Sequence, residues 1–150
     1  MVRVVRALFV AGALLSAATA GAQPVERVNP PGLSTPQTYS HVVKAGKLLF
    51  IAGQVGADAE GKLAGPGMRE QLERVLENLK IALASQGADF SHVVKITVFV
   101  TSVEEYRGAG LAELRAKYLG AHRPASTLVQ VVSLANPAYK VEIEAVAALP

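Results

Sequence analysis

Near the end of the chain the string Val141-Glu142-Ile143-Glu144-Ala145 sets two carboxylates two residues apart. Side chains alternate between faces on a strand, so Glu142 and Glu144 share one face and Val141, Ile143 and Ala145 the other. The pair is either a solvated face, as on any half-exposed strand, or the source of a general base that positions water in a cleft. Gly53-Gln54 closes an apolar run and marks either a close backbone approach to a ligand or a plain strand end. Tyr39 follows a Pro-rich stretch and either covers a pocket or packs on a sheet. Lys95 interrupts an apolar strand and either binds an anion or snorkels to solvent.

Other chemistries are poorly supplied. The chain has no cysteine, which removes thiol nucleophiles, thiolate metal sites and disulfides. Its three histidines, His41, His92 and His122, have no second histidine at ligand spacing, so a zinc site is not expected. No Ser-His-Asp order, dinucleotide fingerprint or phosphate loop is present, and Gly65-Pro66-Gly67 reads as a turn.

The length, 150 residues, suits one domain. Its first residues read differently from the rest: Arg3 and Arg6, then an uncharged run from Ala7 to Ala20, then small residues, the order of a secretory leader. Residues 1–22 are therefore expected to be a signal peptide and 23–150 the mature domain, periplasmic or secreted. The apolar run is shorter than the ~20 residues a spanning helix needs, so no membrane association is expected after processing. Removing the leader takes away two arginines and no acid, so the net charge falls from +3 to +1. That is too weakly basic for a nucleic-acid partner.

The elements that must position these groups follow from periodicity. Residues 23–38 carry four prolines and read as an extended surface arm. Residues 41–44 and 48–52 form a hairpin about Ala45-Gly46-Lys47. From Met68, the residues Leu72, Val75, Leu76, Leu79 and Leu83 recur at helical spacing, with an end near Gln86 and Gly87 as the left-handed cap. Residues 92–101 are a strand with Val94, Ile96, Val98 and Val100 on one face, and 103–119 a second helix weakened by Gly108 and Gly110. Strands at 126–134 and 141–148 complete an α+β domain, β-β-α-β-α-β-β, one mixed sheet with two helices on one face. Its other face, expected to carry Lys95, Thr97 and Phe99 with Leu128, Gln130 and Val132, is too apolar for full exposure, and a homo-oligomer would bury it.

Several strings, in order, resemble the RidA (YjgF) family of reactive-intermediate deaminases. They are Thr38 to Val43 with Gly46, Leu49 to Val55, Gln71 with Asn78-Leu79-Lys80, Gly87, Val93 to Val100, Pro124-Ala125, and Val141 to Ala145. The resemblance spans about residues 30–148. It implies a chorismate-mutase-like homotrimer with small-molecule clefts between subunits, no metal and no cofactor. The implied activity is hydrolysis of 2-imino acids to 2-keto acids and ammonia. Glu142 would help place the attacking water, with Tyr39, Gly53 and Gln54 at the cleft.

The family's substrate-carboxylate arginine follows Pro-Ala, and here that position is Ser126. Gly110 and Ala52 likewise stand where deaminase members carry asparagine and serine. Arg123 starts about 10 Å back along an extended chain and serves the cleft only if its loop folds over. A serine hydroxyl offers no charge-assisted pair to a carboxylate. Two readings follow: an imine or enamine deaminase with an altered substrate, held by Ser126 and Tyr39, or a non-catalytic trimer that binds a metabolite in the same cleft.

Overall fold

The computed structural model describes residues 24–150. The expected leader, residues 1–22, lies outside the described residues. Six strands form one sheet: β1 (Val25–Val28), β2 (Val42–Ala45), β3 (Leu48–Val55), β4 (Val93–Val100), β5 (Ala125–Gln130) and β6 (Val141–Ala148). Their spatial order is β1-β2-β3-β6-β4-β5, antiparallel except for the parallel pair β4–β5. Helices α1 (Met68–Ala84), α2 (Val103–Gly108) and α3 (Leu111–Leu119) complete the domain.

The expected α+β sheet is present, with four differences. The Pro-rich arm contains β1, because the prolines flank Val25–Val28 and leave its ladder to β2 intact. The second helix is two: Gly110 adopts φ +72°, a left-handed conformation that interrupts the run between Gly108 and Leu111. A bulge between Val93 and Lys95 reverses the alternation at the start of β4, so Val93 is buried and Val94 exposed. Finally, β5 stops at Gln130, and its parallel register sets Ser126, Leu128 and Gln130 level with Ile96, Val98 and Val100. Leu128 and Gln130 therefore do not share the face of Lys95, Thr97 and Phe99, because partners in a parallel ladder point the same way.

The core lies between the sheet and α1. Leu49, Ile51, Val98, Val141 and Ile143 meet Leu72, Val75, Leu79 and Leu83, all buried. Within this apolar layer α1 also buries two amides one heptad apart. Gln71, fully buried, donates to Gly65 O at 3.0 Å and Ala138 O at 2.9 Å and accepts from Lys140 N at 2.8 Å. Asn78 donates to Val55 O at 3.1 Å and Ala57 O at 2.9 Å. These bonds hold the end of β3 and the loop before β6 against the helix. At Gly56 an added Cβ would stand 2.5 Å from Gln71 Cβ, so the loop reaches α1 only because that position has no side chain.

Replacing Gln71 with leucine removes three hydrogen bonds and leaves two carbonyls and one N–H without their partner. Gln71→Leu is expected to lower stability by about 3 kcal/mol, read from the midpoint of urea unfolding.

Candidate functional site

On β6 the buried residues are Val141, Ile143, Ala145 and Ala147, which puts Glu142 and Glu144 on the opposite face. Glu142 stands level with Val55 of β3 and Phe99 of β4. The strand beside it breaks its own alternation: Ile51 pairs with Ala145, and the next pair is Gln54 with Ile143. Ala52-Gly53 thus occupies the space of one residue, a β-bulge that turns Gln54 inward to 2% exposure. Beside that bulge the Glu142 carboxyl lies over Gly53. A Cβ added at 53 would overlap Glu142 Oε1 and come within 2.7 Å of Cδ.

The inward Gln54 closes a buried relay. Its Nε2 donates to Ala52 O at 2.8 Å and to His41 Nδ1 at 3.1 Å. The amide nitrogen only donates, so Nδ1 is the acceptor and His41 carries its proton on Nε2. From there it donates to Ser34 O at 3.0 Å. His41 N also donates to Asn29 Oδ1 at 2.9 Å, tying the N-terminal arm to the sheet. Burial pushes the His41 imidazole below its ordinary pKa, in keeping with a neutral ring. The Tyr39 ring meets that imidazole edge-on at 5.5 Å and is itself half exposed.

These residues border a cavity of about 430 Å³, in the range of small-molecule sites. Tyr39, Gly53, Gln54 and Glu142, the residues expected at the cleft, all line it, and so do His41, Asp58, Asn78 and Tyr139. Burial raises the Glu142 carboxyl above the ordinary glutamate range, and the Glu144 charge adds to the shift. Such a carboxylate is a better proton acceptor than a free glutamate, as a general base requires.

Ser126 and Arg123 are not part of this cavity. Ser126 is exposed on the edge strand β5, and Arg123 bonds to the carbonyls of Gly120 and His122 at 3.1 and 3.0 Å. Lys95 lies on the open sheet face, where its Nζ donates to Thr97 Oγ1 at 3.3 Å.

Sequence reasoning passed over His41, Asp58, Asn78 and Tyr139. Asn78 was detectable: together with Gln71 it places an amide inside an apolar helical stripe, and a buried amide must find hydrogen-bond partners. His41 gave no such signal, because its partner Gln54 meets it only through a bulge in β3.

A family model described as Endoribonuclease L-PSP matches residues 32–149. The chain is 38% identical over 112 residues to the chloroplastic Reactive Intermediate Deaminase A of Arabidopsis thaliana, covering 74% of this chain and 58% of that one. It is 33% identical over 110 residues to the human 2-iminobutanoate/2-iminopropanoate deaminase, covering 73% and 78%. The crystal structure of RidA from the Antarctic bacterium Psychrobacter superposes with a TM-score of 0.70 at 32% identity, covering 78% of this chain and 94% of that one.

Two outcomes follow from the contact between Glu142 and Gly53. A carboxyl with a raised folded-state pKa holds its proton more tightly folded than unfolded, so ionising it costs stability. Glu142→Gln is therefore expected to unfold at a higher temperature than wild type at pH 7. That advantage should shrink as the pH falls through the raised pKa and be gone below the ordinary glutamate value, as followed by thermal melts across pH. Gly53→Ala should change the melting temperature little, because the half-buried Glu142 side chain can swing away. Its carboxyl should then titrate nearer the ordinary value in an NMR pH series.

Proposed function

The chain belongs to the RidA (YjgF) family, and on that footing we propose that it is a deaminase of small imines or enamines whose substrate differs from the 2-imino acids. The observation that carries this reading is the Glu142 carboxylate, seated over the bare Cα of Gly53 in a cavity and more basic than a free glutamate. The human relative's name specifies 2-iminobutanoate and 2-iminopropanoate.

The chemistry asks little of the protein. A water hydrogen-bonded to Glu142 attacks the C=N carbon while the carboxylate takes its proton. The same proton then passes to the nitrogen of the resulting amino alcohol, and as the C–N bond breaks the hydroxyl gives its proton to the freed carboxylate, so that a carbonyl compound and ammonia depart and the ammonia carries that proton away. Imine and water are consumed in equal amounts, and no electron is transferred. Tyr39 closes one wall, and Gln54, anchored through His41, supports the bulge that holds Gly53 beneath the carboxylate.

A homotrimer completes the site in this reading. Phe50 and Leu48 on β3 and Val129 on β5 stand exposed on the open sheet face, and a second copy of the chain would cover such apolar surface. Ser126 and Arg123 of a neighbouring subunit would then approach the cleft that they do not reach within one chain. Ser126 stands at the position of the carboxylate-binding arginine, so a charge-assisted clamp on a 2-imino acid is missing there. The leader-like first 22 residues place the enzyme outside the cytoplasm in this reading.

Ammonia release from freshly generated 2-iminopropanoate and from a neutral imine, by wild type, Glu142→Gln and Ser126→Arg, tests the proposal. Wild type should turn over the neutral imine, and Glu142→Gln should lose about 10²-fold or more in kcat. Ser126→Arg should gain activity on 2-iminopropanoate. Saturable binding with no ammonia from any substrate would instead make the protein a non-catalytic binding trimer.

A further inference from the structure

The cavity over Gly53 is unusual in the balance of what it offers a ligand. None of the described residues lining it is a lysine or arginine, whereas two, Asp58 and Glu142, are carboxylates. The hydrogen bonds already made within the wall sharpen the bias. Gln54 spends both amide N–H groups, on His41 Nδ1 and on Ala52 O, so that its carbonyl oxygen is what remains. Asn78, only 4% exposed, does the same with Val55 O and Ala57 O, and its Oδ1 is buried with no hydrogen-bond partner. Turning either amide over would set its oxygen against a backbone carbonyl, so these orientations are dictated by their partners. His41 has both ring nitrogens engaged, one with Gln54 and one with Ser34.

Asp58 shows the same pattern. Its Oδ1 accepts from Glu60 N at 3.2 Å and Lys62 N at 2.8 Å, bonds that shape the loop, and its second oxygen has no partner among the described residues. What the wall still has to give is therefore mostly acceptors: two carboxylates and the Gln54 amide oxygen, with the hydroxyls of Tyr39, Tyr139 and Ser34 able to act either way. A carboxylate ligand would meet like charge and unpaired acceptors. A planar cation with several N–H groups would satisfy both.

We infer that this cavity selects a cationic, N–H-rich C=N compound, such as a protonated imine or an amidine, over an anionic 2-imino acid. The inference rests on the cavity being the substrate site, and it names the substrate class that the loss of the arginine leaves open. It also fits the chemistry, since the protonated imine is the form that water attacks most readily. Glu142 would sit beside the positive C=N group and accept the proton of the attacking water.

Benzamidinium and benzoate have nearly the same shape and opposite charge, so their binding to the purified protein, measured by calorimetry, isolates this preference. Benzamidinium is expected to bind at least about tenfold more tightly than benzoate. Asp58→Asn, whose Oδ1 can still accept the two loop N–H groups, and Glu142→Gln should each weaken benzamidinium about threefold to tenfold and leave benzoate unchanged or slightly improved. Melting temperatures of both variants check that the fold is kept. Benzoate binding as tight as benzamidinium, or benzoate binding that is lost in Arg123→Ala, would overturn the inference. Failure here with ammonia released from 2-iminopropanoate would leave the deaminase reading standing; benzamidinium binding without turnover of any imine would keep the inference and remove the deaminase.

Discussion

The site depends on one steric fact: the Glu142 carboxyl fills the volume that a side chain at position 53 would occupy. Three separate features of the chain must agree for this contact to form. The strand β6 must alternate so that Glu142 faces away from the helices. Strand β3 must carry one extra residue at Ala52-Gly53. The residue opposite the carboxyl must be the one that lacks a Cβ. A regular ladder would have sent Gln54 outward, and the relay through His41 to Ser34 would have had no anchor. A bulge beside a candidate active site is a common way of re-aiming a side chain that a regular strand cannot turn.

Helix α1 is the second support. Most of its buried stripe is aliphatic, and burial of that stripe against β3 and β6 supplies the non-directional part of the stability. Gln71 and Asn78 add direction. Each spends its N–H groups on carbonyls of the segments that frame the cavity, so the positions of Val55, Ala57 and Ala138 are set by bonds to a rigid helix. Buried amides left without partners are costly, which makes this arrangement specific as well as stabilising. Among the described residues this leaves one buried side-chain acceptor without a partner, Asn78 Oδ1.

Much of the architecture was legible in the chain. The α1 stripe, the hairpin about Gly46, the β4 core and the alternating β6 follow from periods of 3.6 and 2, and each is observed within a few residues of its expected bounds. Strand β1 was hidden because prolines on both sides dominate the local composition. The break between α2 and α3 was only half visible, since a glycine inside a helical pattern either weakens the helix or ends it, and Gly110 ends it by turning left-handed. The β4 bulge was not visible at all. Bulges respond to the partner strand, and nothing in Val93-Val94-Lys95 distinguishes which valine turns inward.

The same division holds at the site. The sequence by itself determined which groups are available: a carboxylate pair on β6, a glycine at the end of an apolar run, no thiol, and a serine at the position where the family resemblance implies an arginine. These are facts of composition and spacing, and spacing alone assigns faces on regular strands and helices. Tertiary structure decided which of those groups meet. It brought Tyr39, Gly53, Gln54 and Glu142 to one cavity with His41 and Asn78, and it kept Ser126 and Arg123 away from it within a single chain. The physical reason is that a bulge, a buried relay and a helix amide are long-range agreements between segments up to about a hundred residues apart, and no local pattern of apolar and polar residues records them.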